Sequence, residues 1–455
     1  MTFRSVNPAT SEEVAAFEPH DRAAIDSALS CARRAMNALQ AWGPEGRAER
    51  LRKAAEALEH DQDRYAAMMT EEMGKPIGQA KAEIEKCAWV CRHYADNAAG
   101  YLQDEIIDAP EKGEARLRRL PLGPIFAIMP WNYPFWQVFR FAAPNLMAGN
   151  PGLLKHASSV PRCALAIEEV LIKAGFEDHA FQTLLIGSDA AADVIADDRV
   201  AGVTLTGSEK AGAAVGRAAG AALKPCVLEL GGSDAYIVMP SADLDEAVST
   251  AVTARIQNNG QSCIAAKRFI IHAEIYEAFA QAFTAQMSRL CIGDPSEDET
   301  DIGPLIDADA ADEALAQADK SVQAGAVARL QPERGEHAYL SPGVLEAIPE
   351  TAPVHTEEVF APIAMLYRAE SLDAAIMLAN AHRYGLGSSF WSTDESEIEA
   401  ACDRLEAGST YVNQMVASDP RLPFGGVKKS GFGRELGREG AIAFTNAKTL
   451  AIRRD

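Results

Sequence analysis

Between residues 124 and 232 short apolar runs alternate with helical stretches, and this alternation constrains the fold more than any other feature of the chain. Runs at 125–129, 152–155, 181–186, 200–205 and 226–230 read as strands, and a helical stretch follows each of the first four. Parallel strands need crossover connections, so the pattern is that of a parallel α/β sheet with ligands at the carboxyl ends of its strands. A second α/β block runs from 235 to about 413. It opens with a strand at 236–239 and a helix with Leu244, Ala247, Val248, Ala251 and Ile256 near one face. A strand at 269–272 and a helix carrying Ile275, Phe279, Phe283 and Met287 follow. Ahead of both blocks, residues 21 to about 101 are mostly helical and Ala-rich, punctuated at Gly43-Pro44 and Gly74-Lys75-Pro76. Segments 103–109 and 114–120, joined by Pro110-Glu111-Lys112-Gly113, predict a hairpin small enough to need another element's support.

A chain of 455 residues calls for two or three domains. Its 48% hydrophobic and 24% charged residues fit a soluble globular protein with a sizeable core. The net charge of −22 argues against nucleic acid or an anionic membrane surface as partner. No run of 18 apolar residues suggests a membrane span, and Met1-Thr2-Phe3-Arg4-Ser5 lacks an apolar signal core. The eight cysteines are scattered: Cys87 and Cys91 lie four apart on a helical stretch without a second pair, so no metal centre is expected. Reduced thiols in a cytoplasm are the simplest reading.

Four short stretches carry chemistry. In residues 258–268, Asn258-Asn259-Gly260-Gln261-Ser262-Cys263-Ile264-Ala265-Ala266-Lys267-Arg268, Cys263 lies between a helix and a strand. Gly260 allows a turn and a close approach to a ligand. A thiol at such a bend can reach a reacting carbonyl; a lone Cys is otherwise a small buried hydrophobe. Asn132, in Pro130-Trp131-Asn132-Tyr133-Pro134, follows a strand end, where its amide can donate to an oxyanion or simply shape a turn. Glu229, penultimate in an apolar strand before Gly231-Gly232, is partly desolvated, which suits a general base. The double glycine is expected to clear space beside it; a structural pairing with Lys or Arg is the alternative. Thr206-Gly207-Ser208 precedes a helix whose free N–H groups suit a pyrophosphate, or Ser208 is a plain cap. No GxGxxG is present: Gly207, Gly212 and Gly216 have the wrong spacing.

Together these motifs resemble the aldehyde dehydrogenase family from end to end. Pro-Trp-Asn-Tyr-Pro, Thr-Gly-Ser, Glu-Leu-Gly-Gly, Gly-Gln-Ser-Cys, Glu357-Glu358-Val359-Phe360-Ala361-Pro362 and Pro423-Phe424-Gly425-Gly426-Val427-Lys428-Lys429-Ser430-Gly431 stand in the family's order. Lys155-His156-Ala157-Ser158 and Ser418-Asp419-Pro420-Arg421-Leu422-Pro423 are similar to the short succinate-semialdehyde dehydrogenase type. The resemblance implies an α/β fold of two Rossmann-like domains plus a small β-hairpin oligomerisation element. Residues 1–102 and 122–230 would bind cofactor, 231–415 would form the catalytic domain, and 103–121 with 434–455 the oligomerisation element. It implies a homodimer or a dimer-of-dimers tetramer.

The resemblance further implies that Cys263 is the nucleophile, Glu229 the general base and Asn132 an oxyanion donor. NADP or NAD would lie over Trp131, Asn132, Lys155, His156, Ala157, Ser158, Gly207, Ser208 and Leu230. Glu358 would hold the nicotinamide ribose, with Phe360 near the ring. NAD-preferring relatives often place an acid three residues after the lysine that Lys155 matches. Ser158 stands there and carries no charge, which implies that NADP is accepted and preferred; alternatively Ser158 or Ser159 caps the next helix. Arg140 matches an arginine that grips the substrate's carboxylate, with Ser418 beside it. The family's second arginine is replaced by Gln257, and Arg255 is expected to point elsewhere. The activity implied is oxidation of succinate semialdehyde to succinate through a cysteine thioester. A broad-specificity aldehyde dehydrogenase is the alternative, and a catalytically retired member would lack Cys263, Glu229 or Asn132.

Overall fold

The structure, a computed structural model, describes residues 2–176 and 179–453. Met1 and residues 454–455, the outer ends of two expected domain ranges, lie outside them. Two sheets organise the chain. The six-stranded sheet runs in the order Gly431–Phe432, Cys226–Glu229, Gly202–Thr206, Ile125–Met129, Gly152–His156, Phe181–Thr183. Every neighbour is parallel except the first, where the tail strand lies antiparallel to Cys226–Glu229. The seven-stranded sheet runs Val327–Leu330, Gly343–Glu346, Ile363–Ala369, Arg268–His272, Ala235–Val238, Gly387–Trp391, Ser409–Val412. It too is parallel apart from one edge pair. Central strands such as Ile125–Met129 and Ala235–Val238 are buried on both faces by helices, which is why they read as unbroken apolar runs.

The punctuation expected from glycine and proline is where the helices break. Arg22–His60 kinks at Gly43 (φ 63°) ahead of Pro44, and Gln62–Met73 ends on Gly74 (φ 75°). The helix starts near the site are satisfied from a distance. Glu83, buried on helix Ile77–Tyr101, accepts the N–H groups of Phe135 and Trp136, both at 2.9 Å, where helix Trp136–Ala148 begins. Its own charge is matched by an ion pair to the fully buried Lys75. Glu72 accepts from Arg162 and Cys163, both at 3.0 Å, at the start of helix Pro161–Lys173. A carboxylate at a helix N-terminus both fills the orphan donors and opposes the macrodipole.

The expected hairpin pairs Glu105–Ile107 with Glu114–Pro121, and the C-terminal strand Thr445–Ile452 supplies its support by pairing along 114–121. Among the described residues all eight cysteines are free, and no group of three His, Cys, Asp or Glu side chains could hold a metal. No described helix is long and apolar enough to cross a membrane.

Candidate active site

Helix Leu244–Ile256 ends at Gln257, and three left-handed residues follow: Asn258 (φ 55°), Asn259 (φ 57°) and Gly260 (φ 75°). Asparagine and glycine tolerate that conformation best, and here each is locked by hydrogen bonds or packing. Asn258 Nδ2 donates to the carbonyls of Asn132 (2.7 Å) and Gln261 (3.0 Å). Asn259 Nδ2 donates to those of Gly74 (2.8 Å) and Pro304 (2.9 Å). A Cβ on Gly260 would collide with the backbone of Ala361 and Pro362. The close approach expected toward a ligand is therefore an approach to the chain itself.

Lys267, fully buried, clamps the Cys263 loop. Its ammonium donates to the carbonyls of Ser262 (2.7 Å), Cys263 (3.0 Å) and Ala265 (3.1 Å) and pairs with Glu358 at 3.3 Å. Burial pushes the Cys263 thiol up to about 12, against the pull of Arg140 and Lys267. In this state it is a thiol rather than a thiolate.

Asn132 faces the same space. Its Nδ2 donates to the Gln261 carbonyl (3.0 Å), and its Oδ1 accepts from Gln137 Nε2 (3.1 Å). An amide carries two N–H bonds, so one remains for a ligand. Glu229 ends its strand buried, and neither carboxyl oxygen has a hydrogen-bond partner among the described residues. Burial first and the neighbouring Glu435 second raise it well above the usual carboxylate range, against Arg140 and Arg434. The space beside it is supplied by Gly425, where a Cβ would strike Glu229 Oε1. This corrects the expectation for the double glycine: Gly231 makes room for Glu358, and Gly232 for the Cys263 carbonyl.

Two cavities meet at Cys263. One, of about 240 Å³, is lined by Trp131, Asn132, Gly207, Ser208, Leu230, Cys263, Glu358 and Phe360, so seven expected cofactor contacts come together there. Trp131 and Phe360 meet edge to face at 5.9 Å, and Glu358 Oε1 accepts the Gly232 N–H at 3.0 Å. Ser208 caps helix Glu209–Ala221 by accepting from Ala211 at 3.3 Å, so the cap reading holds for its hydroxyl. The first N–H groups of that helix have no intrahelical acceptor, as a phosphate site requires. Lys155, His156, Ala157 and Ser158 do not line this cavity. His156 is buried; its Nε2 meets the Pro134 carbonyl at 2.9 Å and its Nδ1 accepts the Ala157 N–H at 2.9 Å. Burial lowers its pKa to about 4. It is a neutral brace under the Pro-Trp-Asn-Tyr-Pro turn, which corrects its expected role against cofactor. Ser158 is exposed, and Glu72 rather than a serine fills the start of the following helix.

The second cavity, of about 270 Å³, is lined by Cys263, Glu83, Lys86, Trp136, Arg140, Gln257, Ser418 and Phe424, among others. Arg140 is buried and already engaged: it pairs with Glu435, donates to Thr206 Oγ1 at 3.3 Å and lies 4.6 Å over the Phe424 ring. The two-pronged grip expected of it is thus shared with an internal acid. Gln257 turns its amide back to the Ala254 carbonyl (3.3 Å), and buried Arg255 points to the Gly260 carbonyl (2.7 Å) and away from this cavity. Neither cavity is lined by Glu229, whose carboxyl sits toward Gly425, Glu435 and Arg140. Sequence reasoning missed Lys86, Lys267 and Glu435. Lys267 lies inside the stretch already singled out at 258–268 and Glu435 lies four residues beyond the Pro423 to Gly431 motif, whereas nothing in the sequence joins Lys86 to Cys263.

A profile of the aldehyde dehydrogenase family matches residues 1–450. The chain is 49% identical over 454 residues to a probable succinate-semialdehyde dehydrogenase [NADP(+)] of Synechocystis sp., covering 99% of this chain and 100% of that one. It is 50% identical over 460 residues to succinate-semialdehyde dehydrogenase [NADP(+)] 1 of Mycobacterium ulcerans, covering 99% and 100%. A crystal structure of succinic semialdehyde dehydrogenase from Streptococcus pyogenes, in complex with NADP+, superposes with a TM-score of 0.96 at 35% identity, covering 99% and 100%.

Proposed function

The chain belongs to the aldehyde dehydrogenase family, and from that premise we propose that it oxidises succinate semialdehyde to succinate, using NADP in preference to NAD. The observation that carries this reading is the position of Cys263 between two cavities. One has an aromatic wall, a carboxylate and a helix N-terminus for a dinucleotide; the other has Lys86, Arg140 and Ser418 for an anion.

In the proposed mechanism Cys263 Sγ attacks the aldehyde carbon, and its thiol proton passes to solvent water in the open cavity. The developing oxyanion receives the free N–H of Asn132 and the Cys263 backbone N–H. A nicotinamide cofactor held in the first of these cavities would supply the hydride acceptor needed to oxidise the Cys263 adduct to a thioester. Glu229, moved from its position near Gly425 and ionised there, takes a proton from water, and the hydroxide adds to the thioester carbonyl and displaces Cys263 as thiolate to give the acid. Trp131, Gly207, Ser208, Leu230, Glu358 and Phe360 are the residues that would hold the cofactor, with Lys155, Ala157 and Ser158 toward its adenosine end. The fit rests on the cavity's aromatic wall and carboxylate and on the N–H groups at the start of helix Glu209–Ala221, of which Ser208 fills only that of Ala211.

We further propose a cytoplasmic homodimer or dimer-of-dimers tetramer, in line with eight free cysteines and an exposed strand edge at Glu105–Ile107. The broad-specificity reading draws on two observations: Glu435 already occupies Arg140, and Gln257 brings no charge. Comparison of kcat/KM for succinate semialdehyde, glutarate semialdehyde and butanal separates the two. A preference for succinate semialdehyde of a hundredfold or more over butanal is expected, and equal values would overturn the semialdehyde reading.

A further inference from the structure

Three charged side chains line the cavity on the substrate side of Cys263, Glu83, Lys86 and Arg140, and of these only Lys86 has no ion-pair partner among the described residues. Glu83 is matched to Lys75, Glu435 to Arg140, and Asp419 to Arg421 at 2.6 Å. Asp419 also accepts the Arg421 backbone N–H at 2.8 Å. Lys86 is left over: among the described residues no carboxylate lies within ion-pair distance of its ammonium. It projects from the face of helix Ile77–Tyr101 that also presents Gln79, Ala82 and Glu83 to the cavity. An ammonium withdrawn from water without a counterion is unfavourable unless something else compensates it. Here Trp136 does so in part, with its ring centroid 4.4 Å from Nζ, and Ser418 Oγ accepts from Nζ at 2.9 Å. Accepting that bond leaves the Ser418 hydroxyl hydrogen without an acceptor among the described residues, so it is available to an anion. In a chain of net charge −22, an unmatched cation beside the nucleophile's cavity marks an anion's place.

We propose that Lys86 is the residue that receives the substrate's free carboxylate, with the Ser418 hydroxyl as its second donor. Arg140, already paired with Glu435, remains a second cation in the wall of that cavity. The substrates are then short aldehydes bearing a carboxylate at the end remote from the carbonyl. This rests on the semialdehyde reading above and names the residue that would make it selective. The ammonium's environment fits: burial first and Arg140 second bring its pKa down to about 8, opposed by Cys87 and Glu83 on its own helix and by Asp419 on the facing loop. It is therefore a cation below that pH and loses its charge above it.

The test is steady-state kinetics of wild type, Lys86→Met and Lys86→Arg, with NADP and either succinate semialdehyde or butanal. In Lys86→Met, KM for succinate semialdehyde should rise at least tenfold, about 1.4 kcal/mol of binding, while kcat changes less than threefold. Butanal kinetics should not move, which also certifies the fold of the variant. Lys86→Arg should recover most of the loss. Wild-type kcat/KM for succinate semialdehyde, divided by that for butanal, should fall above pH 8, and this fall should be absent in Lys86→Met. A wild type that prefers succinate semialdehyde, combined with equal losses on both aldehydes or no loss at all in Lys86→Met, would overturn the role of Lys86 and leave the semialdehyde reading standing. A wild type without that preference would overturn the reading and this inference with it.

Discussion

At Cys263 the structure gives a thiol whose pKa is pushed up to about 12, in a cavity whose nearby cations only partly offset burial. Without ligands its alkylation by iodoacetamide should be slow at pH 7 and rise about tenfold per pH unit to pH 9, because only the thiolate reacts. Mass spectrometry of the Cys263 peptide separates it from exposed Cys291 and Cys402, and a plateau below pH 9 would contradict the assignment. Cys263→Ala should reduce aldehyde oxidation to below about a thousandth of wild type while cofactor still binds; fluorescence titration and turnover read the two separately. Glu229 poses the opposite problem. Burial and then Glu435 raise its carboxyl well above the usual carboxylate range, and it does not line the cavities at Cys263, so it has to move to reach a water there. Glu229→Gln should leave a rapid burst of reduced cofactor followed by a far slower steady phase; equal loss in both phases would assign Glu229 to thiol activation or to the fold. Cys263 stood out in the sequence because it lies between a helix and a strand beside Gly260, and Glu229 and Asn132 because they end or follow an apolar strand. Their company did not, because Lys267, Glu435 and Lys86 act through contacts that no local pattern encodes.

Among the elements, the turn between strand Gly152–His156 and helix Pro161–Lys173 carries the cofactor argument. Ser158 is exposed there and does not cap the helix, since Glu72 fills that end. Among the described residues its hydroxyl forms no hydrogen bond, which leaves it open to a phosphate. Ser158→Glu would put a carboxylate where a 2′-phosphate is expected; at about 4 Å that repulsion is on the order of 4 kcal/mol at an effective dielectric of 20. The NADP/NAD ratio of kcat/KM should swing toward NAD by at least tenfold, and an unchanged ratio would remove Ser158 from the cofactor site. The strands of both sheets were legible because central parallel strands are apolar on both faces. The run at 181–186 was read too long: only Phe181–Thr183 is strand, because the chain turns toward helix Ser188–Ala196. The caps from Glu72 and Glu83 were illegible for a different reason. A helix start with no capping residue of its own gives no hint of which distant carboxylate will serve it, and Val160 and Phe135 are such starts.

Across the whole molecule, the parallel α/β class followed from alternation alone, but the path of the tail did not. Thr445–Ile452 returns to pair with Glu114–Pro121, and the opposite edge strand, Glu105–Ile107, leaves Ile106 75% exposed. An apolar side chain on an open strand edge invites pairing with another chain. Ile106→Lys should lower the mass seen by analytical ultracentrifugation without altering the circular dichroism spectrum; an unchanged mass would put the subunit contact elsewhere. The pairing of Gly431–Phe432 with Cys226–Glu229 has a consequence for how the protein is made. The strand that ends in Glu229 emerges from the ribosome roughly 200 residues before the segment that closes its edge, a delay of about 10–40 s at 5–20 residues per second. For that interval the nascent sheet has a bare apolar border, and the acid-rich pocket around Glu229 does not yet exist. Glu229 is therefore made long before it acquires its surroundings, and synthesis of the segment around Gly431–Phe432 is the step that closes this edge of the six-stranded sheet.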